Sequence, residues 1–154
     1  MATMSNEEIV RAYARAHEVL DDDALGALRD PAWVAELPQS GERIRGHAND
    51  RAIAHAWPGG HPRGTATRIV GTEDRWVTTP AWTMQRVAGS GDMWWIEAAA
   101  TYPDGSTWSA VLLIELRDGK VLRERWHFGQ PFEAPAWRAP FVERMEEEGA
   151  RDRR

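Results

Sequence analysis

The chain has 154 residues, enough for one domain with a substantial core, and a formal net charge of −5 at pH 7 with a pI near 5.5. That balance, with Arg43, Arg45, Arg51, Arg63 and Arg68 scattered among acids, argues against nucleic acid as a partner. The absence of cysteine removes disulfide and thiol chemistry. No apolar run approaches membrane-spanning length and the start lacks the apolar core of a signal peptide, so a soluble, cytoplasmic protein is expected.

In chain order, Ser5 is a candidate helix cap, with Glu7 and Glu8 in the first turn, where the helix dipole favours negative charge. Ile9, Val10, Tyr13, Ala16, His17 and Leu20 then recur at helical spacing. A short second helix is expected from Ala24 to Leu28, ending before Asp30-Pro31, followed by a brief strand from Trp33 to Leu37. A third helix, His47 to Ala56, stops before Trp57-Pro58-Gly59-Gly60. Pro58 to Gly64 reads as a loop at a mouth. Strand-like runs follow at Thr67–Val70, Trp82–Val87, Met93–Thr101, Thr107–Leu116 and Val121–Phe128, with a turn at Gly89–Asp92. Pro131 to Pro140 forms an ordered tail, and 146–154 is expected to fray. Helices first and antiparallel strands after them give an α+β order within a single domain spanning 1–154.

Nine tryptophans are the compositional oddity. Each offers a large apolar surface and one N–H that wants a partner, so some fill the core and some are candidates to line a cavity for a flat or apolar ligand.

The turns decide which side chains share a face. Counting Asp104-Gly105 as a two-residue loop sets Glu97 opposite Leu112 and Trp95 opposite Ile114. Counting Arg117-Asp118-Gly119 as a three-residue loop sets Leu112 opposite Glu124 and Ala110 opposite Trp126. One face would then carry Trp95, Glu97, Leu112, Glu124, Trp126 and Phe128, with the two carboxylates starting roughly 10 Å apart across Leu112. A two-residue count at Asp118-Gly119 would instead turn Glu124 outward. A glutamate among tryptophans loses solvation, which raises its pKa toward the range useful for proton transfer. Tyr13 and His17, four residues apart on one helix face, are candidate donors to a carbonyl or enolate oxygen, and His17 also a candidate base.

The segments PQSGERIRG (Pro38 to Gly46), LRDGKVLRERWHF (Leu116 to Phe128) and PFEAPAWR (Pro131 to Arg138) resemble the nuclear transport factor 2-like superfamily, in particular its SnoaL-like, ketosteroid-isomerase-like bacterial members. The resemblance implies a cone-shaped, curved antiparallel sheet wrapped around an apolar pocket closed by three N-terminal helices, and a homodimer through the outer face of the sheet. It places Leu112 near the isomerases' oxyanion donor, Leu37 (with Glu36 beside it) at their general-base position, and Gly129 where cyclases carry an aspartate. The epoxide hydrolases' Arg/Asp arrangement is not evident, so no known catalytic set transfers intact. His47, His55 and His61 lack the tight spacing of a metal site, and no nucleotide, flavin or Ser-His-Asp motif is present.

The expected function is cofactor-independent acid–base chemistry (isomerase, cyclase, dehydratase or hydrolase type) on a small hydrophobic or aromatic molecule, with no cofactor, metal, nucleic acid or membrane. Glu97 and Glu124 would be acid and base, with Tyr13 or His17 polarising an oxygen. Trp33, Trp57, Trp82, Trp95, Leu112, Trp126 and Phe128 would form the walls. The alternative is a non-catalytic ligand-binding or dimerisation module of the same fold.

Overall fold

A computed structural model describes residues 4–71, 75–78, 84–87 and 91–145. Trp82, Gly89 and Ser90 of the Gly89–Asp92 turn, and the 146–154 tail lie outside the described residues. Helices α1 (Asn6–Val19), α2 (Asp22–Leu28) and α3 (His47–Ala56) accompany strands β1 (Arg29–Leu37), β2 (Glu42–Arg45), β3 (Arg63–Gly71), β4 (Arg75–Thr78), β5 (Met84–Val87), β6 (Met93–Thr101), β7 (Thr107–Arg117) and β8 (Lys120–Gly129). A short 3₁₀ turn covers Ala136–Phe141.

Local chemistry starts α1 as expected. The Ser5 side chain accepts from the Glu8 N–H, and the Glu8 carboxylate accepts from the Ser5 N–H at 2.7 Å, a reciprocal capping box. Ile9, Val10, Tyr13, Ala14 and Ala16 turn inward from this helix. They meet Ile96, Leu112, Ile114, Leu116 and Val121 of the sheet together with Trp33 and Ala35 of β1.

The main sheet has six strands in the order β2-β1-β8-β7-β6-β3, and β4 pairs separately with β5. The fold is α+β. One pair departs from the antiparallel pattern, because β1 runs parallel to β8, with Ala35 beside Glu124. This pairing brings the chain that leaves the helices against the last strand, and so joins the two ends of the sequence.

The two long hairpins both differ from their expected registers. Between β6 and β7, Tyr102 and Ser106 close a three-residue loop, Pro103-Asp104-Gly105. Proline suits the second position of a type I turn, the Asp104 carboxylate accepts from the Ser106 N–H at 2.8 Å, and Gly105 takes the left-handed φ of 84° that ends such a loop. Ile96 therefore opposes Leu112, and Glu97 opposes Val111. The single-residue difference moves Glu97 and Trp95 to the outer face, with Trp94 and Ile96 inside. Trp94 lies so close to β3 that a Cβ on Gly71 would stand 2.7 Å from its ring.

Between β7 and β8 the loop is Asp118-Gly119 alone, with φ of 50° and 73°, the signature of a type I′ turn. Regular pairing from there would send Glu124 outward. A bulge intervenes: Leu116 pairs with Val121 but Glu115 pairs with Arg123, leaving Leu122 as the extra residue. The bulge returns Glu124 to the inner face, opposite Ile114.

Candidate functional site

The interior is organised around Glu124, which is 1% exposed. Tyr13, from α1, donates its hydroxyl to Oε1. Trp33 of β1 donates its indole N–H to the same oxygen at 2.8 Å, and Trp126, two residues along β8, donates to Oε2 at 2.7 Å. Arg29, the first residue of β1, approaches Oε1 at 3.4 Å and donates through Nε to the Tyr13 oxygen at 2.6 Å. Its guanidinium lies 3.7 Å from the centre of the Trp33 ring. A second carboxylate completes the row, since Arg29 Nη1 donates to Asp50 Oδ2 and to Nδ1 of His47, both at 2.7 Å. Gly26 makes room for this arrangement, because a Cβ there would stand 2.9 Å from the His47 ring.

This is a carboxylate–guanidinium–carboxylate chain running from the core to the base of α3. Removing charges from water is costly, and several charge-assisted hydrogen bonds offset the cost. Burial acting alone would lower the Arg29 pKa, but Tyr13, Glu124 and Asp50 around it raise it above its ordinary value. Burial, reinforced by the Glu124 charge, pushes the Tyr13 hydroxyl well above the usual phenol range, so it stays protonated. Every hydrogen bond in the cluster therefore has an unambiguous direction.

One turn along α1, His17 is different. Its Nε2 is buried and has no hydrogen-bond partner among the described residues. Its ring stands edge-on to Tyr13, with centroids 4.8 Å apart, and edge-on to Trp126 at 5.5 Å. Trp126 in turn stacks on Phe128 at 5.6 Å, leading toward the open end of β8. Burial, then the Arg29 charge, pull the imidazole down to about 3, so it is neutral at physiological pH.

The sequence-derived candidates thus divide. Tyr13, His17, Glu124, Trp126, Phe128 and Leu112 share the interior. Trp33 does so as well, but 1% exposed, as a donor to Glu124. Trp57 packs apart, against His61 at 5.4 Å and Tyr102 at 6.5 Å, with Tyr102 next to Trp108 at 4.8 Å. Glu97 and Trp95 do not belong. The Glu97 carboxylate sits on the outer face, 40% exposed, 3.5 Å from Arg68. Glu36, beside the isomerases' base position, also points outward, where Arg43 and Arg125 bind it and hold its carboxyl below the usual range. No group of His, Asp or Glu able to hold a metal ion occurs among the described residues.

Sequence reading missed Arg29 and Asp50, and weighed His47 only as a metal ligand, whereas it accepts from Arg29. The one local signal was an arginine closing the otherwise apolar run Ala24-Leu25-Gly26-Ala27-Leu28.

No protein-family model and no curated protein matches the chain. Solved structures do. An NTF2-like protein of unknown function from Burkholderia xenovorans LB400 is 31% identical, with a TM-score of 0.69 over 92% of this chain and 95% of its own. The chain belongs to the NTF2-like superfamily. A Kribbella flavida protein provisionally named a ketosteroid isomerase shares 24% identity at a TM-score of 0.71, covering 93% of this chain and 91% of its own. An epoxide hydrolase of LEH-like type from Mycobacterium tuberculosis shares the fold at 19% identity and a TM-score of 0.55, over 80% of this chain and 81% of its own. NTF2-like folds therefore include proteins with isomerase and hydrolase names, and fold alone does not choose among their chemistries. No helix among the described residues is long and apolar enough to cross a membrane.

Proposed function

We propose that this NTF2-like chain is a cofactor-independent enzyme acting on a small hydrophobic molecule bound beside His17, Trp126 and Phe128. The observation that carries the reading is the unpartnered, buried Nε2 of His17 next to a polar cluster in which the other buried side-chain atoms are engaged. Buried polar atoms are nearly always satisfied, and exceptions mark positions with work to do. A neutral imidazole is a poor base when its pKa is near 3, but it is an effective hydrogen-bond donor. His17 is therefore assigned the task of polarising a carbonyl, enolate or oxirane oxygen.

Glu124 takes a different role from the acid or base expected of it. Its oxygens already accept from Tyr13, Trp33 and Trp126. It acts as a fixed anion that orients the Tyr13 and Trp126 rings, between which His17 is wedged. The reaction class is isomerisation, cyclisation, dehydration or hydrolysis, each of which develops charge on a substrate oxygen.

The same saturation of Glu124 favours a second reading, a binding module in which the cluster is purely architectural. Turnover of a panel of hydrophobic enones, ketones and epoxides by the purified protein separates the two. For an enzyme, His17→Ala lowers kcat by about 10²-fold or more with a smaller change in KM. Equal turnover by wild type and His17→Ala sinks the catalytic assignment. Loss of aromatic-probe affinity in that variant, with no turnover by either protein, supports the binding module.

A further inference from the structure

The outer face of the sheet carries a second feature, at the opposite side of β8 from Glu124. A groove of about 290 Å³ is lined by Ala32, Val34 and Glu36 of β1, Arg43 and Arg45 of β2, Arg117 of β7, and Leu122 and Arg123 of β8. Its lining is mainly polar and cationic, with Ala32, Val34 and Leu122 as the apolar members. The arginines come from three strands, β2, β7 and β8, that are distant in sequence, so the charge concentrates only in the folded chain. They do so on a molecule of net charge −5.

The ion pairs do not balance. Arg43 and Arg125 share the single carboxylate of Glu36, at 2.7 and 2.8 Å. Arg117 pairs with Asp30 at 2.7 Å. Arg123 stands 3.9 Å from Glu115, too far for a hydrogen bond. The Arg45 guanidinium has no ion pair or hydrogen bond among the described residues. Glu36 is thus shared by two arginines, Arg123 is only loosely paired, and Arg45 has no carboxylate of its own. The paired arginines are about half exposed, so their forks can turn toward a ligand without uncovering the core.

We infer that this groove is a binding site for a small dianion, of the phosphate-ester or dicarboxylate class, held by Arg45 and Arg123 with Arg43 and Arg117 flanking. Planar guanidinium forks match carboxylate and phosphate oxygens two at a time, which a set of lysines would not do. The Leu122 bulge is part of the site, because the extra residue sits in the groove and sets the strand twist beside Arg123. The groove lies at the β2-β1-β8 end of the sheet. The apolar part of the outer face, with Trp95, Val111 and Leu113, lies on β6 and β7.

Inorganic pyrophosphate, titrated calorimetrically into the full chain at constant low ionic strength, tests the assignment. The expected result is one saturable site, weakened at least about tenfold in Arg45→Gln and in Arg123→Gln. Ala32→Glu, which adds a carboxylate to the groove while keeping every arginine, abolishes binding. Arg15→Gln, on the far helix, and His17→Ala leave it unchanged. A non-saturating heat matched by chloride, or equal affinity in the groove variants, overturns the site. So does light scattering that shows a dimer lost in Arg45→Gln with no pyrophosphate bound, since a second copy would then be the occupant.

Discussion

Glu97 and Glu124 sit one strand apart from β7 on either side, in similar aromatic-rich strands, yet they inhabit opposite environments. Glu124 is 1% exposed and holds four donors. Glu97 is 40% exposed beside one arginine. The difference arises in the turns. The β6–β7 loop contains one residue more than a two-residue turn, which flips Glu97 outward. The β7–β8 loop contains one fewer than expected, and the Leu122 bulge cancels that change. In a sheet with period two, parity alone decides whether a carboxylate is a core group or a surface charge.

Removing Glu124 is the strongest way to test this contrast. Glu124→Ala leaves Arg29 buried beside a cavity with one of its two carboxylates gone and takes the acceptor from Tyr13, Trp33 and Trp126, and breaking a buried pair in this way costs about 3–5 kcal/mol. Urea denaturation of wild type and variant reads this directly. Replacing both charges, Arg29→Met with Glu124→Leu, restores only part of the loss, since it removes the desolvation penalty of the pair but leaves Tyr13, Trp33 and Trp126 without their acceptor and Asp50 without its arginine. A loss under about 1 kcal/mol in Glu124→Ala would mean that Glu124 is not the hub of the interior.

The next effect comes from His17. Its folded-state pKa of about 3 lies below its ordinary value of 6.5, so protons bind the unfolded chain first. The stability it contributes is complete above pH 6.5 and is lost as pH falls from there toward 3. Arg29, Asp50 and His61 bear on this titration, and burial dominates it. The carboxyls held below their ordinary values (Glu8, Asp30, Glu36 and Asp104) start from 3.8 to 4.5, so their contributions are lost only below that range. The window from pH 6.5 to 4.5 therefore keeps these carboxyls out of the comparison, and the difference between wild type and His17→Phe reads the share that belongs to this imidazole. At pH 5.5 wild type is less stable than at pH 7.5 by about 1.4 kcal/mol on this account, and His17→Phe removes that slope. An unchanged slope in the variant would assign the effect elsewhere.

Much of the architecture is legible in the chain because its signals are local. Ser5 and Glu8 cap α1 through groups three residues apart, the glycines of both long hairpins sit at left-handed positions, and the helix-then-strand order fixes the fold class. What could not be read depends on distance or on parity. Arg29 and Glu124 are 95 positions apart, and only the parallel β1–β8 pairing joins them. The Leu122 bulge follows from strand twist and packing, with no residue type that announces it. The arginines of the outer groove looked scattered in sequence for the same reason: β1, β2, β7 and β8 must assemble before Arg45 and Arg123 share a space.

The turns themselves give a smaller effect. Gly119→Ala and Gly105→Ala each place a Cβ on a left-handed residue, at φ of 73° and 84°, with no neighbour closer than 3.6 Å. Each should cost about 1 kcal/mol, all of it backbone strain, since neither new methyl clashes. A clear inequality between them in chemical denaturation would show that one turn is stabilised by more than its own conformation.

Glu97→Ala should have the least effect. The pair with Arg68 has an N–O separation of 3.5 Å, and both side chains are well exposed, at 63% for Arg68 and 40% for Glu97. Exposed pairs of this kind contribute between zero and about 1 kcal/mol, screened further by salt. A change within about 0.5 kcal/mol, with no effect on aromatic-probe binding, fits a carboxylate on the outer face. A loss comparable to that of Glu124→Ala would require Glu97 to be inside, and hence a two-residue loop at Asp104-Gly105. The Glu97 substitution therefore measures the register of the β6–β7 hairpin in solution, because the three-residue loop closed by Tyr102 and Ser106 turns that glutamate outward, while the Leu122 bulge keeps Glu124, the costly one to remove, inside.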